Sequence, residues 1–167
     1  MTPLYGKYRG TVINNVDPMQ IGRIQAMVPD VAGFVPGTWA MPCLPMAGIN
    51  TGIFTVPMIG SGVWIEFERG DPDYPIWVGG YWSQADVPVM ARAVPPGVSG
   101  ITIQTTLKNG IVVSGVPGPT GGILIQTTTG AMISVSDVGI IISNGKGAII
   151  NMTGPTVDVN LGALTVV

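Results

Sequence analysis

Histidine is absent from the 167-residue chain, and cysteine occurs once, at Cys43. Without an imidazole nothing activates that thiol as a nucleophile, and a single cysteine cannot form an intrachain disulfide, so the fold does not depend on an oxidising compartment. Cys43 therefore reads as a buried structural thiol. Charge is scarce as well: charged residues are 10% of the chain against 46% hydrophobic, and a net charge of −2 with a pI near 4.7 argues against a phosphate-binding surface. A mean hydropathy of +0.48 raises the question of a membrane. Yet no apolar run approaches the roughly 18 residues of a spanning helix, and no basic start followed by an apolar stretch marks a signal peptide. The excess apolar surface points to subunit contacts.

What is abundant is glycine and β-branched residues, and the tail organises both. Gly130, Gly139, Gly147, Gly154 and Gly162 follow at intervals of 9, 8, 7 and 8. Between them lie short runs such as Ala131–Ser136, Ile140–Ser143, Ala148–Met152, Thr156–Leu161 and Ala163–Val167, most alternating apolar with polar. Each reads as a strand with one dry face, too short for a helix, broken by a residue that tolerates sharp corners. Of the 67 residues from 101 onward, 30 are Val, Ile or Thr, which favours strand, and only Lys108, Asp137, Lys146 and Asp158 are charged.

A solenoid coil closed by one chain usually needs roughly 20 or more residues per turn. Strands this short cannot enclose a core alone. The economical closure is three identical chains, each giving one strand to one face of a triangular prism before turning the corner. Ile133, Val135, Ile140, Ile142, Ile150, Met152, Val157, Val159 and Leu161, with Leu164 and Val166, then point to the shared axis. The alternative is a single-chain β-roll or a flat meander packed on the first domain.

Residues 1–84 carry most of the charge and all four tryptophans, in strand-like runs separated by Pro, Gly and Asp. Tyr5–Val16 closes at Asp17-Pro18, and Ile21–Val28 closes at Pro29-Asp30. Prolines leave only Thr38–Leu44 as an edge strand in the stretch that follows. Gly62–Glu68 alternates Val63, Ile65 and Phe67 against Trp64, Glu66 and Glu68, and the turn Gly70–Asp73 leads into Tyr74–Tyr81 as a hairpin. About five short strands without a helix fit a small closed barrel of the OB type. Residues 85–100, with Pro88, Pro95, Pro96, Gly97 and Gly100, read as an extended linker. Beyond it, Ile101–Thr106 and Ile123–Thr128 are near-copies set 22 apart, so the strand region spans 101–167.

Tyr8-Arg-Gly-Thr-Val12, Asp17-Pro18, Gly22-Arg-Ile24 and Val28-Pro29, followed by Trp39–Cys43, Phe54–Pro57, Ile59-Gly60, Gly62–Glu68, Gly70–Pro75 and Trp77–Gly79, stand in an order that resembles the OB domain of contractile-tail spikes. That family includes phage baseplate assembly protein V and the valine-glycine repeat spike of type VI secretion. The resemblance covers most of residues 5–82 and implies an all-β chain in which the OB barrel precedes an intertwined trimeric triangular β-helix. It implies a homotrimeric, non-enzymatic central spike, assembled in the bacterial cytoplasm, that works in a phage tail baseplate or an extracellular contractile particle. Its expected partners are a separate hub protein at the OB end and a conical tip protein of the proline-alanine-alanine-arginine repeat class on Leu164, Val166 and Val167, with only transient contact with the target membrane. A hub domain and a lysozyme-like insert found in larger members are not seen, so hub and wall digestion are expected from other proteins. Some relatives hold a tip metal through histidines; here no metal and no cofactor are expected.

Two rival readings follow from the residues themselves. An OB module for nucleic acid could stack bases on Trp39, Trp64, Trp77 or Tyr81, but the first 100 residues hold only Lys7, Arg9, Arg23, Arg69 and Arg92 against seven acidic groups. A carboxylate pair drawn from Glu66, Glu68, Asp71 and Asp73 would need burial to act as a general acid, and the alternation puts both glutamates on the polar face.

Overall fold

A computed structural model describes residues 3–31 and 37–166, and their regular structure is β strand apart from two short 3₁₀ turns. The chain divides into two compact units, one ending at Asp86 and the other beginning at Val87.

The first unit holds β1 (Tyr8–Asn14), β2 (Gln25–Met27), β3 (Met41–Pro42), a small hairpin of β4 (Ala47–Gly48) and β5 (Thr51–Gly52), then β6 (Gly62–Phe67) and β7 (Pro75–Tyr81). Its main sheet runs β2-β1-β6-β7-β3, antiparallel except where β3 lies parallel to β7. Ile24 and Ala40 exchange backbone hydrogen bonds of 3.2 and 2.7 Å, which joins the two ends of the sheet and closes the barrel. The alternation in β6 is realised, with Val63, Ile65 and Phe67 buried, while in the run before Pro29 it is Ile24, Ala26 and Val28 that turn inward. These pack with Val12, Val31, Ala40 and Trp77 into one core. The β6–β7 hairpin forms around Glu68–Gly70, where Arg69 takes a φ of 54°. Of the expected edge strand at 38–44, Met41–Pro42 pairs with β7 and Ala40 with Ile24, a short stretch consistent with its prolines.

Two readings are corrected in this unit. Cys43 is exposed and not buried, because it follows the short edge strand, where its backbone N–H reaches Trp77 O at 2.9 Å while its side chain stays outside. Trp77 is a core residue, its Nε1 donating to Gly22 O at 3.0 Å, and so offers no stacking surface.

The second unit begins with a 3₁₀ turn at Val89–Ala93, where a wholly extended linker was expected; Met90 N–H donates to Gln104 Oε1 at 2.9 Å and ties the turn to the strands beyond it. Those strands are β8 (Gly100–Gln104), β9 (Gly110–Ser114), β10 (Gly122–Gln126), β11 (Met132–Ser136), β12 (Gly139–Ser143), β13 (Ile149–Thr153), β14 (Thr156–Val159) and β15 (Leu164–Val166). They form one sheet in strict chain order, every neighbouring pair antiparallel. Turns are set by side chains: Asn144 Oδ1 accepts from Lys146 N at 2.8 Å and Ala148 N at 3.0 Å. Gly145 in that turn has a φ of 69° and passes so near the neighbouring turn that a Cβ would lie 2.6 Å from Gly130 C, which leaves no room for a side chain.

In the intertwined β-helix each strand would leave its predecessor at a corner. Within one chain the described strands form a meander, because turns as short as Asp137-Val138 and Gly154-Pro155 return each strand beside the one before it.

Candidate functional site: an uncovered apolar sheet face

The meander's register aligns two rows of side chains across all eight strands. One row is Ile101, Val113, Ile123, Val135, Ile140, Met152, Val157 and Val166. The other is Ile103, Ile111, Ile125, Ile133, Ile142, Ile150, Val159 and Leu164. Positions two apart on a strand share a face, so both rows lie on the same side of the sheet. Every member is aliphatic or Met, and none is charged. Thirteen of the sixteen are exposed, from 36% at Val157 to 66% at Ile103.

The opposite face differs in kind. Its central row passes from Thr102, Val112 and Leu124 through Ser134, Ile141 and Asn151 to Asp158 and Thr165. At the apolar end, Val89, Met90, Ala93 and Val94 line a cavity of about 250 Å³ together with Val112 and Leu124. At the polar end Asp158 Oδ1 accepts the Gly162 N–H at 2.7 Å. One face thus has apolar cover at one end and polar groups at the other, while the aliphatic face has no cover among the described residues of its unit.

Of the residues expected at a trimer axis, Ile133, Val135, Ile140, Ile142, Ile150, Met152, Val157 and Val159 all lie in the two rows. Leu161 does not: it sits in the turn after β14 with a φ of 56° and is 82% exposed. Leu164 and Val166, expected both at the axis and as a docking surface, are the last rungs of the same two rows, and Val167 lies outside the described residues. Ile101, Ile103, Ile111, Val113, Ile123 and Ile125 belong to the face but were not singled out from the sequence. The near-copies at 101–106 and 123–128 were the signal, since the register sets Ile101 level with Ile123 and Ile103 level with Ile125, with β9 between them.

The first unit concentrates its electrostatics at Asp17. Buried where the chain turns from β1 toward β2, its carboxylate accepts from Arg23 Nη2 at 2.7 Å and Nε at 3.1 Å. Backbone N–H groups of Met19, Ile21 and Arg23 add bonds of 3.0, 3.0 and 3.2 Å. The Arg23 side chain, with help from these amides and against the opposing effect of burial, holds the Asp17 carboxyl well below the usual carboxylate range. Its acceptor sites are occupied by the fold, so the group shapes a loop and has no free lone pair for chemistry.

Glu66 and Asp71, among the other candidate groups, are likewise engaged. Glu66 pairs with Lys7, and Asp71 Oδ1 accepts the Asp73 N–H at 3.0 Å. Arg23 lies 5.2 Å over Trp39 and Arg9 lies 5.5 Å over Trp64, so guanidinium groups already cover these rings. Among the described residues no group of three or more His, Cys, Asp or Glu is arranged to hold a metal, and no helix is long and apolar enough to cross a membrane.

Comparison with known families gives two matches. Residues 8–82 match the type VI secretion system/phage-baseplate injector OB domain, and residues 100–165 match the phage baseplate V C-terminal trimerisation domain. A comparison with individual curated proteins finds no match.

Proposed function

Since the chain belongs to the phage baseplate V family of contractile-tail spikes, we propose that it works as a trimeric central spike whose C-terminal unit helps to pierce the target envelope. A structural role in a phage baseplate or type VI spike, built by homotrimerisation and carried in a virion or secreted particle, follows from the family. The finer reading rests on one observation above the rest: two unbroken aliphatic rows run the length of the second unit, and no other described residue of that unit covers them. A soluble sheet does not keep such a face wet, and completing the burial of each side chain is worth about 1 kcal/mol or more.

On this reading the spike contributes stiffness and no catalysis. Strands bonded on both sides over a dry core resist bending and leave few free edges. A hub protein would meet the OB unit, and assembly would occur in the bacterial cytoplasm. A conical tip protein would dock at β15, the sheet's terminal strand, which has a neighbour only in β14. Co-purification of such a tip protein with full-length spike, and its loss when the chain stops before Leu164, would support that docking.

The test of the central reading is the native mass of the purified chain. Three times 17.3 kDa is expected, persisting in mild denaturant. A stable monomer would sink it.

A further inference from the structure

We infer that the outer face of the barrel sheet carries a carboxylate receptor: Arg9, held against Trp64 and Tyr81, receives an Asp or Glu side chain of a partner protein. The inference stands on the first unit alone and does not depend on how many chains assemble.

Strand register brings the three groups together. Arg9 lies opposite Trp64 across β1 and β6, and Tyr81 lies opposite Gly62 across β6 and β7. Because Gly62 has no side chain, the Tyr81 ring takes its place: a Cβ there would stand 2.5 Å from Tyr81 Cε2. The ring thereby reaches over β6 toward β1, and its hydroxyl donates to Gly10 O at 3.4 Å. Arg9 Cζ then lies 5.5 Å from the Trp64 ring centre and 5.4 Å from that of Tyr81, with the two rings 5.1 Å apart. A guanidinium already placed by two rings has less freedom to lose when a ligand arrives.

What these contacts leave free decides the ligand. Aromatic rings attract the cation but offer its N–H fork no oxygen. Among the described residues Arg9 makes no ion pair and no side-chain hydrogen bond. Arg23, which also lies over a ring, differs: its fork is spent on Asp17. In β1, β2, β6 and β7 the charged residues are Arg9 and Glu66, and Glu66 is paired with Lys7. One uncommitted positive charge therefore remains on this sheet.

A single preset fork matches a single carboxylate through two parallel hydrogen bonds. A run of nucleic-acid or lipid phosphates would call for several cations, and here the neighbouring Lys7 is already neutralised in a chain of net charge −2. The flanks are apolar. Ile13 follows Arg9 and Thr11 on the outward side of β1, and Met27 lies opposite Thr11, both exposed. The surface thus fits a protein segment with one acidic side chain among apolar ones, and Arg, Trp and Tyr are the residues in which binding energy concentrates at such contacts.

The test is a titration of full-length, isotope-labelled protein, followed by nuclear magnetic resonance at the arginine Nε–Hε signals and at the Trp64 indole N–H. The probes are the end-capped tripeptide Leu-Glu-Leu, its Leu-Gln-Leu counterpart, and inorganic phosphate. The glutamate peptide should shift Arg9 and Trp64 to saturation with a dissociation constant on the order of millimolar, and the glutamine peptide should bind about tenfold more weakly. Arg23 should stay unmoved, because Asp17 holds its donors. Arg9→Lys keeps the charge without the fork and is read at Trp64; Trp64→Leu keeps the fork without its holder and is read at Arg9. Each should weaken the glutamate peptide about threefold or more, with the Arg23 signal unchanged as the mark of an intact barrel. An unsaturated response, an equal response to the glutamine peptide, an equal shift at the turn residue Arg69, tighter binding of phosphate, or unaltered affinity in both variants would each overturn the inference.

Discussion

The two units spend the same kind of residue in opposite ways. Among the described residues, ten of the eleven buried hydrophobic side chains belong to the barrel and one, Val112, to the second unit. Yet the second unit is the richer in aliphatic side chains and the poorer in charge. Closure explains the difference. The barrel curls its sheet until Ile24 and Ala40 bond, so its inner face sees itself. The meander's strands follow one another in a single row, and among the described residues of their unit no second layer lies over the aliphatic side. An uncovered face of this regularity describes one component of an assembly, and its composition is evidence about its neighbours.

The sharpest way to break this comparison is to charge the uncovered face. Val159→Asp should abolish trimer formation, because threefold packing would bring three carboxylates together away from water, at a cost of about several kcal/mol each. Native mass should fall to a single chain. Because all four tryptophans lie in the first 86 residues, tryptophan fluorescence should still report a folded barrel. Trimers that tolerate the aspartate would mean that the aliphatic rows are not the interface.

Next in size is a matched pair of truncations. Ile65, fully buried in the barrel, should lose about 2–5 kcal/mol on replacement by Ala, and its denaturation midpoint, followed by tryptophan fluorescence, should not depend on protein concentration. Ile142→Ala should cost about 1–3 kcal/mol per chain, read as a shift in trimer dissociation that grows on dilution. Concentration-independent loss for both would erase the distinction between self-buried and partner-buried cores.

Much of this was legible in the residues. Alternation in Gly62–Glu68 identified the inward side of β6, and alternation after Gly130 identified eight of the residues that share one face. Alternation assigns faces but says nothing of which strand bonds to which, so the meander and the intertwined prism fit the same pattern. Pairing within the chain is set by turn geometry: Asn144 Oδ1 accepting from the amides of Lys146 and Ala148, and links of two residues between strands. Leu161 was misplaced for the same reason, since its position continues the alternation while its φ of 56° belongs to a turn. Asp17 was read as a turn former beside Pro18. Its ion pair with Arg23 needs a loop whose shape depends on tertiary closure, and the six-residue separation carries no periodic signal.

A third prediction concerns the acid limit of the barrel. The Asp17 carboxyl has a folded-state pKa depressed below its unfolded value near 3.9, so its contribution is fully present above about pH 4 and is lost as pH falls through the folded value. Asp17→Asn should lower barrel stability at neutral pH and flatten its decline between about pH 4 and pH 2. Urea titrations at several pH values, followed by tryptophan fluorescence, measure both. An unchanged acid slope would mean that other carboxylates govern the transition.

The smallest expected effect tests the face assignment most finely, because it uses the residue beside Val159. Asp158 stands in the opposite face's row, where its Oδ1 accepts the Gly162 N–H in the link to β15. Asp158→Asn keeps an oxygen in that place and should change stability by less than about 0.5 kcal/mol, with the trimer intact. Asp158→Ala removes the acceptor and should cost about 1 kcal/mol, since the turn amide loses its partner at an exposed site where water partly replaces it. Neither change touches the aliphatic rows, so both should leave the native mass at three chains while differing modestly in thermal midpoint. If Asp158→Asn dissociated the trimer as Val159→Asp is expected to, the polar row would be the one facing the partner chains. Adjacent residues on a strand point to opposite sides, so no rearrangement short of a one-residue register slip could reconcile that outcome with the inward placement of the aliphatic rows.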